Sequence, residues 1–103
     1  MLDEEFKDVT LQNYFQYLVN HFFKILPMAE NKEESLPIYM ESLQFEISGF
    51  ERLYIDTRCN ASIVTLLAIL QALKENDDDL AVVRREVFHA ISICNQLREM
   101  YVK

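Results

Sequence analysis

The sequence contains one glycine and two prolines in 103 residues, which is too few for a protein built from many tight turns. A fold of many short strands needs a turn-forming residue at each connection, whereas long helices need few connections. The scarcity of glycine also excludes glycine-rich phosphate loops, the nucleophile elbow of hydrolases and the dinucleotide fingerprint, each of which uses several glycines. The composition therefore favours an all-α protein, and the sequence contains none of these three enzyme motifs.

Cysteine, basic residues and long apolar runs are also sparse. The two cysteines, Cys59 and Cys94, are too few for a disulfide framework or a zinc site, and without a secretory signal they predict reduced thiols in a cytoplasmic protein. The net charge of −7 argues against direct binding to nucleic acid, which requires a concentrated basic face. The longest apolar stretch, residues 61–73, is too short and too interrupted to span a membrane.

Four segments of the sequence carry apolar residues at helical spacing. Half of the residues are hydrophobic and 26% are charged, as in an ordinary globular domain. A chain of this length has room for one hydrophobic core, so we predict a single domain over residues 1–103, with residues 1–7 as a mobile tail. We predict an antiparallel four-helix bundle with helices over residues 8–26, 35–55, 60–75 and 79–101.

Polar and helix-breaking residues set these boundaries. Pro27 is expected to end the first helix, because proline lacks the amide that the helical hydrogen-bond ladder needs. Ser35 and Asn60 are expected to cap the second and third helices through their side-chain oxygens. The three aspartates at residues 77–79 lack the glycine and the later glutamate of a calcium loop, so we expect them to form a turn and to cap the fourth helix.

Apolar residues remain on the second and third helices after one inward face has been assigned to each. A glycine inside a helix costs about 1 kcal/mol relative to alanine, so Gly49 suggests a close backbone contact or a kink. On the third helix, small side chains form a ridge behind the face of large ones, and such ridges allow another helix to approach closely. The possible interface residues are Ile38, Ser42, Phe45, Gly49, Ala61, Val64, Thr65, Ala68 and Ala72 on these two helices, and Phe88 on the fourth.

Two interpretations account for this surplus. In the first, the third helix is the most central one, and its alanines and Gly49 help internal packing. In the second, the backs of helices two and three form an interface with a second copy or with another protein, because exposed apolar patches mark interaction sites. The second interpretation predicts that Ala68→Glu dissociates the complex and preserves the helical circular dichroism, whereas the first predicts unfolding.

Few residues that carry chemistry occur at a useful spacing. Glu86 and His89 form Glu-x-x-His, the spacing by which di-iron bundles present a carboxylate and an imidazole to one metal centre. Such a site needs a second pair, which a symmetric dimer could supply, with Glu41 or Glu46 as the extra carboxylate. His21 has no acid or nucleophile at helical spacing and is interpreted as a residue at the edge of the apolar stripe. We therefore predict no catalytic residue, cofactor, metal ion or small-molecule substrate.

These observations predict a small cytoplasmic protein-interaction or adaptor module that self-associates through helices two and three or binds a larger partner. The alternative is an acidic inhibitor or immunity-type protein that neutralises a basic enzyme or toxin, since the acidic residues fall mainly in the tail and loops. A third hypothesis is a dimeric metal-binding bundle that uses Glu86 and His89. The salt dependence of binding distinguishes the first two hypotheses. Binding through opposite charges weakens steeply with ionic strength, whereas binding through apolar surfaces does not.

Overall fold

The computed structural model describes residues 4–53 and 59–100, with side chains for residues 10–52 and 59–100. This part of the chain forms α-helices and contains no strands. The helices are α1 (Glu4–Glu30), α2 (Leu36–Leu53), α3 (Asn60–Glu75) and α4 (Leu80–Met100). They pack as a four-helix bundle, which confirms the predicted fold. No helix within the described ranges combines the length and the hydropathy needed to cross a membrane.

The bundle consists of two layers, each made of two helices. α1 packs most closely against α4, and α2 packs most closely against α3. Contacts between α3 and α4 and between α1 and α2 join the layers. α1 and α3 make no close backbone contacts with each other among the described residues, and neither do α2 and α4. Each helix therefore has two neighbours, and the side of each helix that faces away from the bundle axis is left at the surface.

The core follows the apolar periodicity of the sequence. Among the described side chains, every buried one is hydrophobic. Burying one such side chain contributes about 1.5–3 kcal/mol, and truncating it to alanine costs about 2–5 kcal/mol because a cavity is left. The largest fully buried side chains are Phe15, Phe22, Leu11, Leu18, Ile25, Met40, Ile47, Ile63, Leu66, Leu70, Leu73 and Leu97.

α1 begins earlier than the sequence indicated. Glu4, the first described residue, is already helical, so residues 4–7 belong to α1 rather than to a tail. None of these four residues is proline or glycine, so nothing in them interrupts the helical ladder. Residues 1–3 lie outside the described residues, as do the predicted helix ends at residues 55 and 101.

The prediction that Pro27 ends the first helix is wrong. α1 continues through Pro27 to Glu30. Proline lacks only its own amide, and the carbonyl of Pro27 still accepts a hydrogen bond from the amide of Asn31 at 2.9 Å. Ala29, in the turn that follows the proline, is buried in the core. The packing of this last turn therefore offsets the one hydrogen bond that the proline removes.

A residue with left-handed backbone closes α1. Lys32 has a φ of 53° and is the only described residue with a positive φ. The amide of Lys32 donates to the carbonyl of Ala29 at 3.1 Å, and the amide of Glu33 donates to the carbonyl of Met28 at 3.0 Å. These two bonds form a Schellman motif, which satisfies carbonyls that the end of the helix would leave unpaired. The connection to α2, residues 31–35, is consequently shorter than the segment 27–34 that the predicted helices left between them.

The start of α4 agrees with the predicted cap at Asp79, and Ser35 lies directly before α2 as predicted, although its bond to the helix uses the backbone carbonyl and not the side-chain oxygen. The carbonyl of Ser35 accepts the first helical hydrogen bond of α2, from the amide of Tyr39 at 2.9 Å. At α4, a carboxylate oxygen of Asp79 accepts hydrogen bonds from the amides of Ala81 at 3.1 Å and Val82 at 3.3 Å. Asp79 therefore satisfies amides that have no partner inside the helix and places negative charge at its positive end.

The start of α3 at Asn60 agrees with the helix predicted over residues 60–75, but the capping residue differs from the prediction. Asn60 is the first helical residue, and Cys59 occupies the cap position with no side-chain cap hydrogen bond. The carbonyl of Cys59 accepts the amide of Ile63 at 2.9 Å. Cys59 is 2% exposed and belongs to the hydrophobic core. Packing of Cys59, rather than capping by Asn60, therefore determines where α3 begins.

Candidate interaction surface

The two most exposed large hydrophobic side chains of the described residues lie on α2. Phe45 is 72% exposed and Ile38 is 69% exposed. They are separated by seven residues, which is close to two helical turns, so they share one face of α2. Met40 and Ile47, on the opposite face, are completely buried. The bundle therefore buries one side of α2 and leaves a phenylalanine and an isoleucine on the other.

The neighbouring outer face of α3 is built from small and apolar side chains. Ala61 and Ala68 are exposed, and Val64 is 50% exposed. Thr65 and Ala72 are half-buried, and the hydroxyl of Thr65 donates to the carbonyl of Ala61 at 3.0 Å. This hydroxyl is therefore satisfied within its own helix. Small side chains leave the α3 backbone open to the close approach of another helix.

A groove of about 360 Å³ lies between α2 and α3. Hydrogen bonds link the two helices across it: Lys74 Nζ donates to Gln44 Oε1 at 3.1 Å, and Gln44 Nε2 donates to Gln71 Oε1 at 3.3 Å. The exposed sides of α2 and α3 are therefore held together as one surface, which we call the α2–α3 face. Its residues are Ile38, Glu41, Ser42, Phe45, Ser48, Gly49, Arg52, Ala61, Val64 and Ala68.

Gly49 was predicted to mark a close backbone contact or a kink, and among the described residues the first of these, a close contact, is not found. Apart from the backbone of its own helix and its two chain neighbours, a Cβ atom placed on Gly49 would have no described atom within 4 Å. Gly49 borders a second groove, of about 340 Å³, between α2 and α1. Phe45 lines both grooves and stands as a ridge between them. The only glycine of the chain therefore leaves open space beside the most exposed phenylalanine.

Phe88 does not belong to this face. It is 52% exposed, and its ring packs edge-on against Phe23 of α1 with centroids 6.2 Å apart. The pair lies on the layer formed by α1 and α4, whereas the other predicted interface residues lie on the layer formed by α2 and α3. Projection of a single helix shows that Phe88 points away from the core, but it does not show which neighbouring helix lies beside it.

Aromatic side chains join α1 to α2. The rings of Tyr14 and Phe50 stack with centroids 4.3 Å apart, and the rings of His21 and Tyr39 stack with centroids 5.8 Å apart. The Nδ1 atom of His21 and the hydroxyl of Tyr39 are hydrogen-bonded at 2.5 Å. His21 is therefore more than a residue at the edge of a stripe. The sequence does not show this link, because Tyr39 lies on the next helix and reaches His21 only in the folded chain.

The hydrogen bond between His21 and Tyr39 is one between neutral groups. Burial lowers the pKa of His21, Lys24 acts in the same direction, and Glu46 opposes them. Burial also raises the pKa of Tyr39, and the nearby Tyr17 and Glu46 add to the effect. At neutral pH the imidazole is therefore uncharged and the phenol keeps its proton. The pair connects two helices without placing a charge between them.

Glu86 and His89 form a pair at the surface, and no other described residue joins them as a metal ligand. Glu86 Oε2 and His89 Nδ1 are 3.9 Å apart, and Arg85 Nε lies 3.3 Å from the other carboxylate oxygen of Glu86. The side chain of His89 is 55% exposed. The described residues contain no group of three side chains able to hold a metal ion. Glu41 and Glu46 lie on α2, which does not pack against α4.

The cysteines are positioned as core residues. Cys59 is 2% exposed, and Cys94 has no exposed surface. Burial raises the pKa of the Cys94 thiol to about 12. The thiolate is the reactive form of cysteine, so Cys94 is a poor nucleophile at neutral pH and packs as a small apolar side chain.

Acidic residues from two connections meet at one end of the bundle. They surround a cleft of about 600 Å³, to which Lys32 contributes the one basic side chain among the lining residues. Apolar residues at the ends of the helices complete the lining of this cleft. The acidic lining residues are Glu33, Glu34, Asp77 and Asp78.

Comparisons with protein-family models, with curated proteins and with solved structures gave no match. A four-helix bundle by itself does not indicate a function, because unrelated functions use this fold. The function must therefore be inferred from the surface of the bundle. Among the described residues, the α2–α3 face carries the two most exposed of the large apolar side chains, Phe45 and Ile38.

Proposed function

We propose that this protein is a small interaction module that binds a second copy of itself through the α2–α3 face. The exposure of Phe45 and Ile38, 72% and 69%, carries the proposal. Burying side chains of this size is worth about 1.5–3 kcal/mol each. In the described part of the monomer both side chains stay exposed, so this free energy of burial is not gained. The small side chains of Ala61 and Ala68 beside them favour a helical partner that packs closely.

Charge supports a second copy as the partner. The charged residues of the α2–α3 face are one exposed acid, Glu41, and one exposed base, Arg52, about three turns apart on α2. In a two-fold symmetric dimer the same surface is used twice, so a face with both signs of charge can satisfy itself. The chain as a whole has a net charge of −7, so a random encounter between copies is repulsive. A face where both signs alternate lowers that repulsion locally.

The test is the mass of the purified protein in solution, measured by light scattering after size exclusion at low and high salt. We expect a mass twice the 12.2 kDa of the chain, and we expect it to persist in high salt because the interface is mainly apolar. Ala68→Glu should weaken the dimer by about 30-fold or more, because a carboxylate would be buried without a partner. Its circular dichroism should stay that of the wild type.

Ala81→Glu is the matched control, since Ala81 is an exposed alanine on α4 and lies outside the α2–α3 face. It should leave both the mass and the helical signal unchanged. A wild-type monomer at every concentration would contradict the proposal. Unfolding of Ala68→Glu, but not of Ala81→Glu, would show that the back of α3 is core.

The two remaining hypotheses predict different results in the same experiments. An acidic inhibitor would be captured by a basic partner and released by salt, and Ala68→Glu would not affect that binding. A metal-binding dimer that uses Glu86 and His89 would associate through α4 and fall apart when a chelator removes the metal. Metal analysis of the purified protein measures this directly.

A further inference from the structure

We infer that the two copies bind through α2 in antiparallel orientation, with Glu41 of each copy beside Arg52 of the other. This inference rests on the proposed self-association and specifies its geometry. It follows from the spacing, the sizes and the charges of the residues on the exposed side of α2.

The spacing on α2 suits packing along another helix. Residues of the α2–α3 face recur along α2 at intervals of three and four residues, which is the repeat by which two helices stay in contact over several turns. These positions span four turns of α2 and lie opposite its buried stripe. They are Ile38, Glu41, Phe45, Ser48 and Arg52.

The sizes of the side chains favour the antiparallel orientation. Phe45 is large, and the next residues on the same face, Ser48 and Gly49, are small. Apart from the backbone of α2 itself and the two neighbours of Gly49, no described atom lies within 4 Å of the place where a Cβ of Gly49 would be, so that space is open. A two-fold axis that crosses α2 between Phe45 and Ser48 places each Phe45 ring over Ser48 and Gly49 of the second copy. A parallel pairing would instead set the two Phe45 rings against each other.

The charges favour the same orientation. Glu41 and Arg52 lie about 16 Å apart along the helix, too far to pair within one chain. Neither forms an ion pair with another of the described residues. The axis between Phe45 and Ser48 brings Glu41 of each copy opposite Arg52 of the other, so two ion pairs form. A parallel pairing would place Glu41 against Glu41 and Arg52 against Arg52, which is repulsive.

The experiment reverses each charge alone and then both together in the full chain. The dissociation constant of the dimer is measured by sedimentation equilibrium, and folding is checked by circular dichroism. Glu41→Arg and Arg52→Glu each create two like-charged contacts and should weaken the dimer by about tenfold. The double variant E41R/R52E restores two opposite pairs with exchanged signs and should return to within about threefold of the wild type.

Charge-matched controls separate the register from the net charge. Glu34→Arg and Lys24→Glu change exposed residues outside the α2–α3 face by the same amounts. Glu41→Arg and Glu34→Arg both make the chain less negative, so general repulsion between copies falls in both. Only Glu41→Arg should nevertheless weaken the dimer.

The outcomes distinguish this inference from the proposed function. If the double variant is as weak as the single variants, while Ala68→Glu still dissociates the wild-type dimer, the antiparallel register is wrong and self-association stands. If the wild type is a monomer at every concentration, both are wrong. If both single variants dimerise more weakly than the wild type and the double variant dimerises about as tightly as the wild type, Glu41 and Arg52 meet across the interface.

Discussion

At the scale of single residues, the tyrosines at the junction of α1 and α2 differ in what their hydroxyls contact. The hydroxyl of Tyr14 is buried and has no hydrogen-bond partner among the described residues. Burial is the main reason why the pKa of Tyr14 is raised. The hydroxyl of Tyr39 bonds to the ring of His21 and also lies 3.2 Å from its carbonyl oxygen. Both rings pack between helices, so the difference lies in the hydroxyl groups.

This contrast predicts opposite effects of the same substitution. A buried hydroxyl without a partner costs about 1–3 kcal/mol, so Tyr14→Phe should raise the free energy of unfolding by about 1 kcal/mol. Tyr39→Phe removes a hydrogen bond and should lower it by about 1 kcal/mol. Urea unfolding at pH 7 measures both. A loss of stability in Tyr14→Phe would mean that the hydroxyl of Tyr14 is hydrogen-bonded in solution.

The sequence predicts which side of a helix these residues occupy but not what they bond to. The spacing of Tyr14 and Tyr39 places each on the inward stripe of its helix. The contacts of Tyr39 with His21, and of Tyr14 with Phe50, depend on how far α1 and α2 are shifted relative to each other. That shift results from packing the whole core, so no local pattern contains it.

At the scale of the helices, periodicity predicts the interiors, and local hydrogen bonds decide the ends. The apolar spacing is sufficient to predict four helices, because each interior turn repeats the same pattern. At Pro27 the missing amide suggests an end, yet burial of Ala29 extends α1 to Glu30. At Lys32 the left-handed backbone has no sequence signal, because glycine is the residue expected there. The ends of α1 therefore could not be read from residue types alone.

The left-handed conformation of Lys32 can be tested by replacing it with glycine. A side chain in this region costs about 1–2 kcal/mol, and part of the gain is lost because glycine makes the unfolded chain more flexible. Lys32→Gly should therefore stabilise the protein by about 0.5–1 kcal/mol and raise Tm by a few degrees. Lys32→Ala is the control, since it removes the same charge and keeps a Cβ. Loss of the positive charge from the acidic cleft affects both variants alike, so Lys32→Gly should have the higher Tm of the two, and equal Tm values would show that the left-handed backbone carries no such cost.

At the scale of the whole molecule, the bundle separates an apolar face from an acidic end. The composition predicts surplus apolar surface on helices two and three, and the structure places Phe45 and Ile38 of that surplus in solvent. The sequence could not show that Phe88 packs against Phe23 on the layer formed by α1 and α4, because this contact depends on the order of the helices around the bundle. For the same reason, the sequence could not show that acidic residues of two separate connections share one cleft.

The acidic end makes the stability of the monomer depend on salt. Glu33, Glu34, Asp77 and Asp78 surround one cleft, and like charges held close together destabilise the folded state. Raising the salt concentration from about 0.02 M to about 0.5 M shortens the Debye length from roughly 20 Å to below 5 Å, so this repulsion is screened. We expect Tm to rise by a few degrees over this range. The Ala68→Glu background, at fixed protein concentration, removes any contribution from dimer formation.

Neutralising two of these acids tests whether the cleft is the source of the effect. Glu34→Gln combined with Asp78→Asn should raise Tm at low salt and flatten its dependence on salt, because fewer like charges remain to be screened. Glu51→Gln combined with Glu99→Gln removes the same charge on helices outside the cleft and should keep most of the dependence. If the dependence of Tm on salt becomes equally weak in both double variants, the effect comes from the net charge of the chain and not from the cleft. If the protein is instead an acidic inhibitor that binds a basic partner at this end, the partner's positive charge would relieve the same repulsion. Glu34→Gln combined with Asp78→Asn would then also weaken that binding.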